Sequence, residues 1–208
     1  MSGAAPSGTA PSGARPRAAV LLSGGGRTLE NLAELAERGE LACELGLVIS
    51  NKADAYGLQR AANHGLPAEV IDAERALAPE AFGDAVFAAV EAAGCDLVVL
   101  AGFLRFLPIP ERWLGRVLNI HPSLLPAFGG KGCYGDRVHR AALERGVKVT
   151  GCTVHYVDNV YDNGPILVQR VVDVRSDDTV DTLAARVFEE EKRALPEAIG
   201  LHAARAGH

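Results

Sequence analysis

Apolar residues along this chain follow two patterns that take turns. Unbroken runs at residues 18–22 (AAVLL), 45–50 (LGLVIS) and 96–101 (DLVVLA) read as strands buried on both faces. A shorter run at 68–71 predicts a third strand of the same kind. Between the runs, apolar positions return every three or four residues, as a helix with one buried side requires. Leu29, Leu32, Ala33, Leu35 and Ala36 make one such stripe, and Leu58, Ala61 and Ala62 a second. Phe82, Val86, Phe87 and Val90 make a third, within a helix over 79–93. Residues 117–121 (VLNIH) add a fifth strand, and 138–145 a helix that stops at Gly146. Residues 148–158 (KVTGCTVHYVD) alternate, with Thr153, His155 and Val157 on one face. A turn at 159–165 and a strand at 166–174 follow, so the last two strands should be antiparallel. A helix over 179–195, capped within Ser176 to Thr179, closes the pattern. This order predicts a single three-layer α/β domain with a Rossmann-like, mostly parallel sheet and an antiparallel C-terminal strand.

Length and charge narrow the picture. At 208 residues there is room for one domain with a real core, placed here at 18–201. Residues 1–17, rich in Ser, Gly, Ala and Pro without an apolar stretch, read as a disordered tail and not a secretory signal. Residues 202–208 read as a C-terminal tail. The net charge of −5 argues against nucleic acid as a partner, and no apolar stretch is long enough for a membrane. Cys43, Cys95, Cys133 and Cys152 form no CxxC pair. They read as reduced thiols of a cytoplasmic protein, with no metal site.

Candidate chemistry gathers where predicted strands end. Asn119 and His121 lie two apart, so their side chains share a face, and Pro122 ends the strand. An amide beside an imidazole can hold a carbonyl oxygen and move a proton. After the first strand comes Ser23-Gly24-Gly25-Gly26-Arg27-Thr28, then a helix: an order that aims backbone N–H groups at an anion. Residues 102–107 (GFLRFL) form an apolar loop, read either as core packing or as a wall for a flat ligand. Trp113 reads as a core anchor, Asn51 and Asp54 as turn or cap residues, and His64 as solvated. His155 reads mainly as a half-buried strand histidine. The glycine-rich stretch 127–137 (AFGGKGCYGDR) reads as a lid. Glu189, Glu190 and Glu191 read mostly as a solvated helix face.

Taken together, SGGGRTLENL, SNKADAYGL, DLVVLAGFLRFL, LNIHPSLLP and VHYVDNVYDNGPI resemble the folate-dependent formyltransferases. The set points to the glycinamide ribonucleotide branch of purine synthesis, over residues 17 to 201. The resemblance implies a formyltransferase-type domain that moves a formyl group from 10-formyltetrahydrofolate, as co-substrate, to the amine of glycinamide ribonucleotide, without a metal. It implies Asn119, His121 and Asp162 as catalytic residues. It implies Gly26, Arg27, Thr28 and Glu191 at the ribonucleotide. It places the folate against Leu104, Arg105, Phe106 and Leu107, against Asn119, and against the turn Asp158, Asn159, Val160, Tyr161 and Asp162. Partners are then the two small substrates, in a cytoplasmic monomer or homodimer.

Three features depart from many relatives. Arg27-Thr28 replaces Ser-Asn, the 127–137 stretch is longer than in some, and a folate-contacting arginine has no counterpart near Pro79 and Glu80. The nearest rival is formyltetrahydrofolate deformylase, which passes the formyl group to water. Its relatives carry an N-terminal regulatory domain, where only residues 1–17 stand here, and tend to have a second His where this chain has Pro122. Methionyl-tRNA formyltransferase would need a further C-terminal domain. A binding module without turnover would have no use for Asn119, His121 and Asp162. In the mechanism expected, Asn119 and a protonated His121 meet the oxyanion, and the nearby Asp162 carboxylate favours that imidazolium.

Overall fold

The alternating runs pair into one seven-stranded sheet of order β3-β2-β1-β4-β5-β6-β7. The computed structural model describes residues 15–72 and 78–206. Strands are β1 (Arg17–Leu22), β2 (Glu44–Ser50), β3 (Ala68–Val70), β4 (Leu97–Leu100), β5 (Val117–His121), β6 (Val149–Tyr156) and β7 (Ile166–Asp173). Helices are α1 (Arg27–Glu37), α2 (Tyr56–Asn63), α3 (Pro79–Ala92), α4 (Asp136–Arg145) and α5 (Val180–Ala206), with a 3-10 turn at Glu111–Trp113. β1 to β5 are mutually parallel, and β6 runs antiparallel to both β5 and β7. This is the mostly parallel α/β sheet with antiparallel pairing at its C-terminal end that the sequence predicts.

Alternation along β1 and β4 splits the core in two. Val20, Leu22, Leu97 and Val99 pack with α1, α2, α4 and α5 on one face. Ala19, Leu21, Val98 and Leu100 pack with α3 and Trp113 on the other. Trp113 is buried as expected, its ring 5.1 Å from that of Phe87 and its indole N–H donating to Glu91. Strand order reverses between β1 and β4, which opens a crevice at their carboxyl ends. Ser23 stitches the three loops there. Its N–H donates to Gly102 O, its Oγ accepts from Leu104 N, and its hydroxyl donates to Asn51.

Several local expectations change. The tail expected over residues 1–17 falls outside the described residues up to 14, and Arg17 already belongs to β1, its N–H on Asp96 Oδ1 at 2.8 Å. α5 does not stop near Leu195 but runs through Pro196 to Ala206, taking in 202–206 of the expected C-terminal tail. Pro196 cannot donate to the carbonyl of Lys192 four residues back. The Asn31 side-chain N–H fills that place at 3.1 Å, so the helix continues. Thr179 caps α5 as expected, its Oγ1 accepting from Thr182 N. In α2, Gly57 and Ala61 turn inward and Ala62 is exposed. His64 is not solvated: its ring nitrogens lie 2.6 Å from Glu37 and 3.5 Å from Glu30, and the Glu37 contact raises its affinity for a proton.

Candidate active site

A cavity of about 580 Å³ opens at the carboxyl edge of the sheet, lined from α1, the loop after β4, β5, the stretch after Gly130, and α5. Its first wall is the glycine turn. Gly26 takes a left-handed φ of 71° as it enters α1. A Cβ there would stand 2.6 Å from the Gly57 Cα, so only glycine lets the turn lie this close to α2. Glu30 N bonds Gly26 O, leaving the preceding α1 N–H groups without helical partners. Arg27 and Thr28 line the cavity, whereas Gly26 shapes the turn from behind. The Arg27 guanidinium lies 4.1 Å above the Phe188 ring, and Glu191 lies on the same wall. Burial, partly offset by Arg27, pushes the Glu191 carboxyl up to about 7. It is therefore not part of the solvated face expected for 189–191.

The centre of the cavity edge holds the polar strand residues. On the α3 face of the sheet, apolar packing along β5 ends at Val117, and Asn119 and His121 follow on that face. In the β5–β6 register Asn119 stands opposite His155, and His121 opposite Thr153. His155 Nδ1 lies 2.8 Å from the Tyr156 carbonyl, which can only accept, so Nδ1 carries the proton. Nε2 is then an acceptor and takes the Asn119 Nδ2–H at 3.1 Å. Burial lowers the His155 pKa below its ordinary 6.5, against the pull of Tyr156 O and Asp162, which keeps the acceptor free.

The same rule assigns His121. Its Nε2 lies 3.0 Å from the Phe128 carbonyl, so Nε2 bears hydrogen. Its Nδ1 faces Asp162 Oδ1 at 3.5 Å. Asp162 has a left-handed φ of 52° and accepts from Gly130 N at Oδ2, 2.8 Å away. Its Oδ1 is left facing His121 and, at 3.8 Å, His155 Nε2. Asn119, His121 and Asp162 therefore converge although 43 positions separate the first and last (162 − 119).

A narrower recess of about 80 Å³ continues from this centre, lined by Phe106, Leu107, Val157, Asp158, Val160 and Tyr161 among others. Leu104 is 55% exposed and Phe106 leans on Tyr161 at 5.1 Å, so the loop after β4 is a wall and not only core packing. Arg105 lines both spaces. Asn159 does not line either. Its amide clamps Ile109 N and O at 2.7 and 3.0 Å, tying two loops together. Among the described residues no group of three or more His, Cys, Asp and Glu could hold a metal ion.

Two neighbours were not legible as site residues. His139, on α4, is a cavity-wall imidazole with a buried, unpartnered Nδ1, and burial lowers its pKa. Thr153 accepts from Leu125 N and donates to Ser123 O, bracing the turn behind His121. Only its spacing to His155 hinted at a shared face.

Residues 16–199 match the formyl transferase family. The chain belongs to that family. A solved formyl transferase, glycinamide ribonucleotide transformylase 1 from Symbiobacterium toebii, is 43% identical and superimposes with a TM-score of 0.87, covering 93% of this chain and 90% of that one. The trifunctional purine biosynthetic protein adenosine-3 of Gallus gallus is 44% identical over 91% of this chain. The chloroplastic phosphoribosylglycinamide formyltransferase of Vigna unguiculata is 39% identical over 88%. This chain spans 19% and 59% of those two relatives' lengths. None of its described helices is long and apolar enough to cross a membrane.

Proposed function

We propose that this protein transfers the formyl group of 10-formyltetrahydrofolate to the amine of glycinamide ribonucleotide, in purine biosynthesis. The observation that carries this reading is the convergence of Asn119, His121 and Asp162 between an anion cradle and an apolar-walled recess. The relatives named above as formyltransferases of this substrate support it. The ribonucleotide phosphate would take the free N–H groups of α1 with Arg27 and Thr28, and Glu191 would meet its sugar end. The folate would lie against residues 104–107 and 158–162. The unpaired thiols suit a cytoplasmic setting.

The amine nitrogen attacks the formyl carbon, a C–N bond forms, and the carbonyl becomes an oxyanion. One N–H of Asn119 is engaged by His155 and the other is free to meet that oxygen. His121, as imidazolium, offers Nδ1–H beside Asp162. Collapse breaks the bond to the folate nitrogen. One proton passes from the attacking to the leaving nitrogen, with His121 and Asp162 as the groups able to carry it. The test is to mix purified protein with 10-formyltetrahydrofolate, with and without glycinamide ribonucleotide, and follow folate product by absorbance. Product only with the ribonucleotide is expected. Equal release without it would mean the formyl group goes to water, and the reading would fall.

A further inference from the structure

One short stretch after β5 grips both His121 and Asp162. The Phe128 carbonyl accepts from His121 Nε2–H at 3.0 Å. Two residues on, the Gly130 N–H donates to Asp162 Oδ2 at 2.8 Å. Gly129 between them lies against the carboxylate. A Cβ there would stand 3.3 Å from the Asp162 Cβ and 2.5 Å from Leu125 Cδ2. Phe128 holds a left-handed φ of 55°, which turns its carbonyl into the site while the next two residues pass Asp162. The stretch directly follows the turn braced by Ser123 and Thr153, with Ser123 Oγ donating to Ala127 O at 2.5 Å.

These contacts decide more than shape. A carboxylate with one oxygen anchored to a backbone N–H has its other oxygen directed, here at His121 Nδ1. An imidazole whose Nε2–H is spent on a carbonyl exchanges protons only at Nδ1. We propose that Phe128, Gly129 and Gly130 are positioning residues for formyl transfer, which make Nδ1 of His121 the nitrogen that gives and takes the proton. The bonds made and broken remain those of the transfer reaction, and the inference rests on that reading. It gives this glycine-rich turn a role of its own in the site. It also accounts for glycine at 129, where a methyl group would wedge between Leu125 and Asp162.

The test has two arms, and the first needs no variant. In isotope-labelled wild-type protein, a scalar coupling across the hydrogen bond is expected between the Gly130 amide nitrogen and the Asp162 carboxyl carbon. Long-range nitrogen–proton spectra of His121 should show hydrogen on Nε2 in the neutral form. Absence of the coupling, or a neutral ring with hydrogen on Nδ1, overturns the proposal. The second arm is Gly129→Ala. A fall in kcat of at least about tenfold is expected, with KM for both substrates within about twofold and the Gly130–Asp162 coupling weakened. An unchanged kcat, or a loss confined to KM, overturns the role. If this variant does not fold, the wild-type arm still decides. Wild-type protein without turnover would sink the transfer reading and this role with it, whereas turnover with the Nδ1–H tautomer would sink this role alone.

Discussion

Asn119 and His155 face each other across β5 and β6, amide Nδ2 to imidazole Nε2, at 3.1 Å. The imidazole is fixed as acceptor because its other nitrogen donates to Tyr156 O. One Asn119 N–H is thereby spent on orientation, and the amide plane is set before substrate arrives. His155→Phe keeps a ring of similar size and removes the acceptor. Its kcat should fall about 10- to 100-fold, less than the 100- to 1,000-fold expected for Asn119→Ala, which removes the donor itself. Steady-state kinetics with both substrates measures this. Full kcat in His155→Phe would mean Asn119 needs no such support.

Asp162→Asn separates charge from shape. The amide oxygen can still accept from Gly130 N–H, so that contact survives while the negative charge beside His121 is lost. A drop in kcat of about 100-fold or more is expected, with the thermal midpoint little changed. Single-turnover formyl transfer is the appropriate measurement. A variant as fast as wild type would remove Asp162 from the mechanism.

The legibility of this site follows from what is local in the sequence. Asn119 and His121 were visible as a pair because strand side chains alternate, and the glycine turn because it sits between an apolar run and a helical stripe. The placing of His155 opposite Asn119 depends on the register of two strands that are more than 25 residues apart, which periodicity does not encode. The end of α5, expected near Leu195, lies at Ala206 for a similar reason. Pro196 reads locally as a stop, and the Asn31 side chain that satisfies Lys192 O comes from α1. Asn159 and His64 look like free turn and helix-end residues until the partners Ile109, Glu37 and Glu30 are brought beside them by the fold.

Arg27 stands at the helix entrance with its guanidinium stacked on Phe188 and facing the cavity. A charged donor to the phosphate is worth roughly 1.5–3 kcal/mol. Arg27→Ala should therefore raise KM for glycinamide ribonucleotide at least about tenfold and leave KM for the folate within about twofold. A ribonucleoside lacking the phosphate gives the control, since wild type and variant should use it equally poorly. If the variant loses as much with that control, Arg27 acts on the fold or the sugar and not on the phosphate.

Glu191 couples this site to stability. Burial raises its carboxyl from 4.5 to about 7, so the native state holds a proton that the unfolded chain has released. Between about pH 4.5 and pH 7 the native form binds more protons, and stability falls as pH rises through that window, levelling off above it. Glu191→Gln cannot ionise and should not show this fall. Its thermal midpoint should match wild type near pH 4 and exceed it by about 2–4 °C at pH 8, if the relief is about 1 kcal/mol. The same variant should bind glycinamide ribonucleotide more weakly, since a carboxylate that could accept from the substrate is gone. Scanning calorimetry from pH 4 to pH 8 checks the first point and KM at pH 8 the second. A stability difference that is constant with pH would show that Glu191 does not titrate in that window. A difference that grows as pH falls would reverse the sign and place the charged form as the one the fold prefers.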